Sequence, residues 1–148
     1  MDGLEALFAN RVLWAAMLGW AIAQTFKVML TFIVYKRWDF SRMFGSGGMP
    51  SSHSSFICAL ATAVAITRGF QSVEFAISFA LALIVMYDAA GVRRSAGKQA
   101  AAINQIIQDM MKRGSKLTQD HLKELIGHTP FEVIMGALRG VLVAILFV

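Results

Sequence analysis

Two histidines, a pair of arginines, a lysine and a glutamate stand out in a chain that is otherwise strongly apolar: His53, His128, Arg93, Arg94, Lys27 and Glu132. These residue types suit phosphoryl transfer to an imidazole, with cations to hold the anion and a carboxylate to set the tautomer of the attacking ring. His128 and Glu132 are four residues apart and project from one face if the segment is helical. The same residues have a plainer reading: in Thr129-Pro130-Phe131-Glu132, Thr is an N-cap, Pro the first helical residue and Glu the closing member of a capping box. The two readings are compatible, because a capped helix also holds His128 at its mouth.

The second histidine lies in Gly45-Ser46-Gly47-Gly48-Met49-Pro50-Ser51-Ser52-His53-Ser54-Ser55. Glycines and a proline break the chain, then small hydroxyl residues open an apolar run. That pattern is a loop entering a helix N-terminus, where free N–H groups and the helix dipole favour an anion. A serine-rich cap that happens to carry a histidine is the simpler account of this stretch taken alone. His53, His128 and Glu132 could also supply three zinc ligands, but no paired-histidine helix motif supports a metal site, and neither metal nor cofactor is expected. The lone Cys58 is no cysteine-phosphatase nucleophile, since the position six residues on, where a phosphate-cradling arginine belongs, is Val64. It reads as a small core hydrophobe.

The elements that must position these groups are membrane spans. Of 148 residues, 57% are hydrophobic, and they are gathered into long runs rather than amphipathic stripes. The first run extends from about Val12 to Tyr35 and contains Lys27, nine residues before Lys36 and so about 13 Å inside the basic end. An ammonium at that depth faces a bundle interior or a polar cavity unless it snorkels. A shorter run covers Ser52 to Thr67, a third Val73 to Gly91 with Asp88 near its end, and a fourth Pro130 to Val148 with Glu132 and Arg139 inside it. Between the third and fourth, Ala96, Ala100, Ile103, Ile107 and Met110 recur at three- and four-residue steps, which predicts an amphipathic interfacial helix from Ser95 to about Arg113. A further short helix is expected over Thr118 to Ile126, with His121 as a solvated residue. The acidic start, with Asp2 and Glu5, does not read as a cleavable signal. The expected fold is an all-α integral membrane bundle of about four spanning helices in one domain, residues 1–148.

Net charge is +5, and the basic residues lie beside the apolar runs. The segment Lys36–Arg42 carries three basic and one acidic residue, and Arg93–Glu124 seven and three. With four crossings both connections fall on one side, which the positive-inside rule makes cytoplasmic. Topology therefore brings Pro50-Ser51-Ser52-His53, Arg93-Arg94 and Gly127-His128-Thr129 to one membrane face. Without a basic stripe interleaved with aromatics, nucleic acid is not an expected partner. Four spans make a thin bundle, which pairing into a homodimer would thicken.

At Pro50-Ser51-Ser52-His53, Tyr87-Asp88-Ala89-Ala90-Gly91-Val92-Arg93-Arg94 and Gly127-His128-Thr129-Pro130-Phe131-Glu132, the chain resembles the divergent branch of the type 2 phosphatidic acid phosphatase superfamily, relatives of lipid phosphate phosphatases and vanadium haloperoxidases. The likeness runs from about Leu13 to Phe147. It implies metal-independent hydrolysis through a phosphohistidine on His128, with Glu132 orienting it. By the same resemblance His53 is the acid and base, and Lys27, Ser52 and Arg93 or Arg94 bind the phosphate. The superfamily pattern is altered in four places. Val34 stands seven residues after Lys27 where an arginine before proline is usual, with Arg37 and Arg42 as possible substitutes. Ser52 replaces glycine, 33 residues separate Arg94 from His128, and Glu132 replaces aspartate. The implied substrate is a lipid phosphate monoester at the cytoplasmic leaflet of a bacterial-type inner membrane. Phosphatidylglycerophosphate ranks first, phosphatidic acid second and polyprenyl diphosphate last. The competing expectation is a non-enzymatic membrane protein that binds lipid phosphate headgroups.

Overall fold

In the computed structural model residues 3–36, 38, 49–112, 122 and 127–148 are described, and all regular structure among them is helical. A short α1 (Gly3–Phe8) precedes α2 (Arg11–Tyr35); α3 (Ser52–Arg68), α4 (Val73–Tyr87), α5 (Arg93–Lys112) and α6 (Pro130–Phe147) follow. Local chemistry sets the limits of each. Asn10, Ser51, Ser72 and Thr129 are N-caps whose side chains accept a hydrogen bond from the N–H three residues on. Lys36 ends α2 in the left-handed region and Gly69 ends α3 at φ 85°.

Three of these helical runs are long and apolar enough to cross a membrane: Arg11–Tyr35, Val73–Lys112 and Pro130–Phe147. Their outer faces expose Met17, Ile22, Met29, Ile77, Leu83, Ile134, Leu142 and Ile145, the reverse of a water-soluble surface. With 17 residues, α3 is at the lower limit for a span, and it sits between α2, α4 and α6. The architecture is an all-α membrane bundle with α3 at its centre.

Small residues set the packing. Ala15, Ala59, Ala63 and Ala144 form one buried cluster, and Ile57, Cys58, Ala61 and Ala82 another. Along α6, Gly136, Gly140 and Ala144 make a seam at four-residue intervals. A Cβ at Gly136 would run into the Ser51 carbonyl, and one at Gly140 into the Ser55 carbonyl. Against the same Ser55 and Ala59 of α3, Gly19 lets α2 come close enough for Ser55 Oγ to donate to the Gly19 carbonyl at 2.8 Å. This is the small-residue contact that lets helix backbones approach in lipid, where no hydrophobic drive between helices exists.

The expected amphipathic helix is present as α5, but it continues directly from α4. It is not a separate helix, because Val73–Lys112 runs unbroken for 40 residues through a π-helical stretch, Asp88–Val92. No proline interrupts it, and the widened turn absorbs Gly91 without ending the helix. Gly97, Ala100 and Asn104 are buried, and Asn104 holds Leu122 through both backbone groups, at 2.8 and 3.0 Å. Apart from Leu122, the expected helix over Thr118 to Ile126, His121 included, lies outside the described residues, as do Arg37, Arg42 and Gly45–Gly48.

Candidate active site

Two backbone hydrogen bonds build the site. The Ser51 N–H donates to the Glu132 carbonyl at 3.1 Å and joins the start of α3 to the first turn of α6. The His128 N–H donates to the Ala89 carbonyl at 2.9 Å and ties the residue before the Thr129 cap to the π-helical stretch. A π turn shifts the carbonyl register by one residue, and here a carbonyl from that turn takes an acceptor role outside its own helix. Gly127 has φ +97°, and a Cβ there would strike the Arg94 nitrogen and the Arg93 carbonyl carbon. Only glycine brings the chain past these backbones to deliver His128.

Glu132 closes the capping box and also faces His128. Its Oε2 accepts from the Thr129 N–H at 3.0 Å, and its own N–H donates to Thr129 Oγ1 at 3.3 Å, which completes the capping box. The same oxygen lies 3.1 Å from His128 Nδ1. Facing a carboxylate, Nδ1 carries the proton and Nε2 keeps its lone pair. His128 is only 3% exposed. Burial holds its pKa below the usual 6.5, Lys27 and Arg93 push it the same way, and Glu132 offsets part of the fall. The ring is therefore neutral at neutral pH.

His53 sits in the first turn of α3 and faces the same centre: His128, Lys27, Arg93 and Asp88 all lie within its electrostatic reach. It also lines an apolar cavity of about 430 Å³ between α2, α3 and α4, with Met17, Trp20, Phe56, Leu81 and Val85. Lys27 is 2% exposed on the inner face of α2, and the field of its ammonium reaches both imidazoles. Ser52 is buried at the head of α3, where the Ser54 N–H is taken by Ser51 Oγ and the Ser52 and His53 N–H groups have no acceptor within the helix. Arg93 Nε donates to Asp88 Oδ2 at 2.6 Å, which fixes the guanidinium beside the site.

The seven residues singled out by sequence divide accordingly. His53, His128, Glu132, Lys27, Ser52 and Arg93 come together at one end of the bundle. Arg94 lends its backbone as the surface that Gly127 crosses, and among the described residues its side chain makes no ion pair or hydrogen bond. Among those residues no cluster of three His, Cys, Asp or Glu side chains could hold a metal ion. Sequence reasoning missed the Ala89 carbonyl, the positive φ of Gly127 and the glycine seam of α6. Only the seam had a visible signal, its four-residue spacing.

The sequence profile of the divergent PAP2 family matches residues 8–143, nearly the whole chain. The chain belongs to that family. Membership ties it to a phosphatase-related superfamily, and the match spans every element that contributes to the site. A Bacillus subtilis (strain 168) relative, named "Uncharacterized membrane protein YuiD", is 42% identical over 149 residues, covering 94% of each chain. No solved structure matches.

Proposed function

We propose that this divergent PAP2 protein hydrolyses a lipid phosphate monoester through a phosphohistidine. His128 Nε2 attacks phosphorus, the bond from phosphorus to the lipid oxygen breaks, and His53 gives its proton to the leaving alkoxide. In the second half a water loses a proton to His53 and attacks the same phosphorus. The phosphorus–nitrogen bond then breaks, and phosphate leaves. Lys27, Arg93, Ser52 and the first N–H groups of α3 balance the charge on the equatorial oxygens, with Arg94 at the rim. Glu132 holds the His128 tautomer and stabilises the ring as it gains positive charge.

The observation that carries this reading is the buried His128–Glu132 pair, pinned by the Ala89 carbonyl and facing His53, Lys27 and Arg93. The basic connections at this end support a cytoplasmic orientation in a bacterial-type inner membrane. On that face phosphatidylglycerophosphate is the first substrate, ahead of phosphatidic acid, and polyprenyl diphosphate is disfavoured. Phosphate release from phosphatidylglycerophosphate in mixed micelles by the purified full-length chain tests the proposal. Release should be blocked by vanadate, abolished in His128→Ala, and accompanied by an acid-labile phosphoryl-enzyme. Headgroup binding without turnover, unchanged in His128→Ala, would instead make the protein a lipid-phosphate binder.

A further inference from the structure

A second polar feature of α6 is not used by this chemistry. Arg139 follows Glu132 by seven residues, two turns within about 20°, so it lies on the same face about 10 Å further along the helix. Side chains on a helix lean toward its N-terminus, which carries the guanidinium back toward the site. There it lies over the Phe26 ring, 4.0 Å from the centroid, and Phe26 precedes the site lysine Lys27. The two residues share the wall of a groove of about 330 Å³ between α2 and α6, whose other lining includes Met49, Pro50, Leu138 and Leu142. Apart from the guanidinium the lining side chains are apolar, and Pro50 directly precedes the Ser51 that bonds to Glu132.

Among the described residues the guanidinium is incompletely satisfied: Nη1 is shut off from solvent and has no hydrogen-bond partner there. The described carboxylates near this end are committed elsewhere, Asp88 to Arg93 and Glu132 to His128 and Thr129. Arginine does not escape by losing its proton. A fixed cation in an apolar groove opening beside a phosphate site calls for an anion that itself belongs to a lipid.

We propose that Arg139 binds a phosphodiester of the substrate, so that the preferred lipid carries two phosphates: a terminal monoester at His128 and, one short polyol unit nearer the acyl chains, a diester at Arg139. This rests on the phosphatase reading above and sharpens it. The order of the two sites matches the order of the groups in such a lipid. The monoester is the outermost group and meets the mouth of the bundle, while the diester and chains lie deeper, where Arg139 and the apolar groove are. A lipid with a single phosphate monoester fills the first site and leaves Arg139 without its anion.

The test compares kcat/KM for phosphatidylglycerophosphate and phosphatidic acid in wild-type, Arg139→Met and Arg139→Lys full-length protein. Arg139→Met should lower the value for the two-phosphate lipid by roughly tenfold or more and leave phosphatidic acid nearly unchanged. Arg139→Lys should recover part of the loss. Preserved turnover of phosphatidic acid shows that the variants are folded. Equal losses on both lipids, or no loss on either, overturn the assignment. Binding of phosphatidylglycerol, which has the diester and no monoester, supplies a readout free of turnover. Its affinity relative to neutral diacylglycerol should fall roughly tenfold in Arg139→Met and be unmoved by His128→Ala. If the wild type hydrolyses neither phosphate lipid, the phosphatase reading fails, and this binding comparison alone decides for or against the Arg139 site.

Discussion

Glu132→Gln separates the two tasks of one carboxylate. The amide is nearly isosteric, and its oxygen can still accept from the Thr129 N–H, so the cap on α6 survives and stability should change little. The charge facing His128 Nδ1 at 3.1 Å is lost. A hydrogen bond to a charged group is worth about 1.5–3 kcal/mol. If that interaction strengthens as the ring becomes cationic in the transition state, its removal slows phosphohistidine formation roughly ten- to 150-fold. Glu132→Ala loses the capping box as well, at a further cost of about 1 kcal/mol in stability. The pH profile gives an independent sign. The proposed mechanism needs neutral His128, whose pKa already lies below 6.5 through burial, with Glu132 raising it in part. Without the carboxylate the pKa falls further, so the acid limb of Glu132→Gln should move to lower pH while the plateau rate drops. The assay is rapid-quench trapping of the phosphoryl-enzyme across pH, beside thermal unfolding of the same samples. A full plateau rate in Glu132→Gln, or an acid limb displaced upward, would refute the role given to this residue.

Other variants probe the scaffold. Gly136→Ala drives a methyl group toward the Ser51 carbonyl and should destabilise the bundle by about 1–3 kcal/mol, read as earlier thermal unfolding in detergent. Arg93→Ala should raise KM by roughly tenfold, and Arg94→Ala far less, because only Arg93 is held at the site by Asp88; steady-state kinetics on the two variants checks this. Cys58 is buried beside Met86, its sulfur 3.7 Å from the thioether, so Cys58→Ala should retain wild-type turnover and the native chain should resist thiol reagents.

The apolar runs, the hydroxyl caps and the four-residue step from His128 to Glu132 were legible because each depends on local spacing. The convergence of His53, Arg93 and His128 was legible from the order of crossings and the sign of the loops. What eluded sequence reasoning depends on backbones meeting at a distance. Nothing in Tyr87-Asp88-Ala89-Ala90 announces a widened turn, because the helix stays helical and only its hydrogen-bond register changes. Nor could adjacent arginines be told apart. Successive residues on a helix point about 100° away from each other, and which one meets Asp88 depends on that register. Arg139 was visible as an intramembrane charge, but its groove needs Phe26, more than 100 residues earlier in the chain, to become apparent.

The join between Ser51 and Glu132 has a consequence for how the protein is made. The head of α3 carries Ser51, Ser52, Ser54 and Ser55, all buried, and hydroxyls and first-turn amides of this kind are poorly suited to lipid. Ser55 Oγ has its partner on α2, but α6, which packs over Ser51 and Ser54, follows α3 by more than 60 residues and is synthesised well after it. Until then this end of α3 must find shelter in water at the membrane boundary or under an insertion chaperone. The candidate pocket therefore cannot close until α6, the last helix of the bundle, has been made.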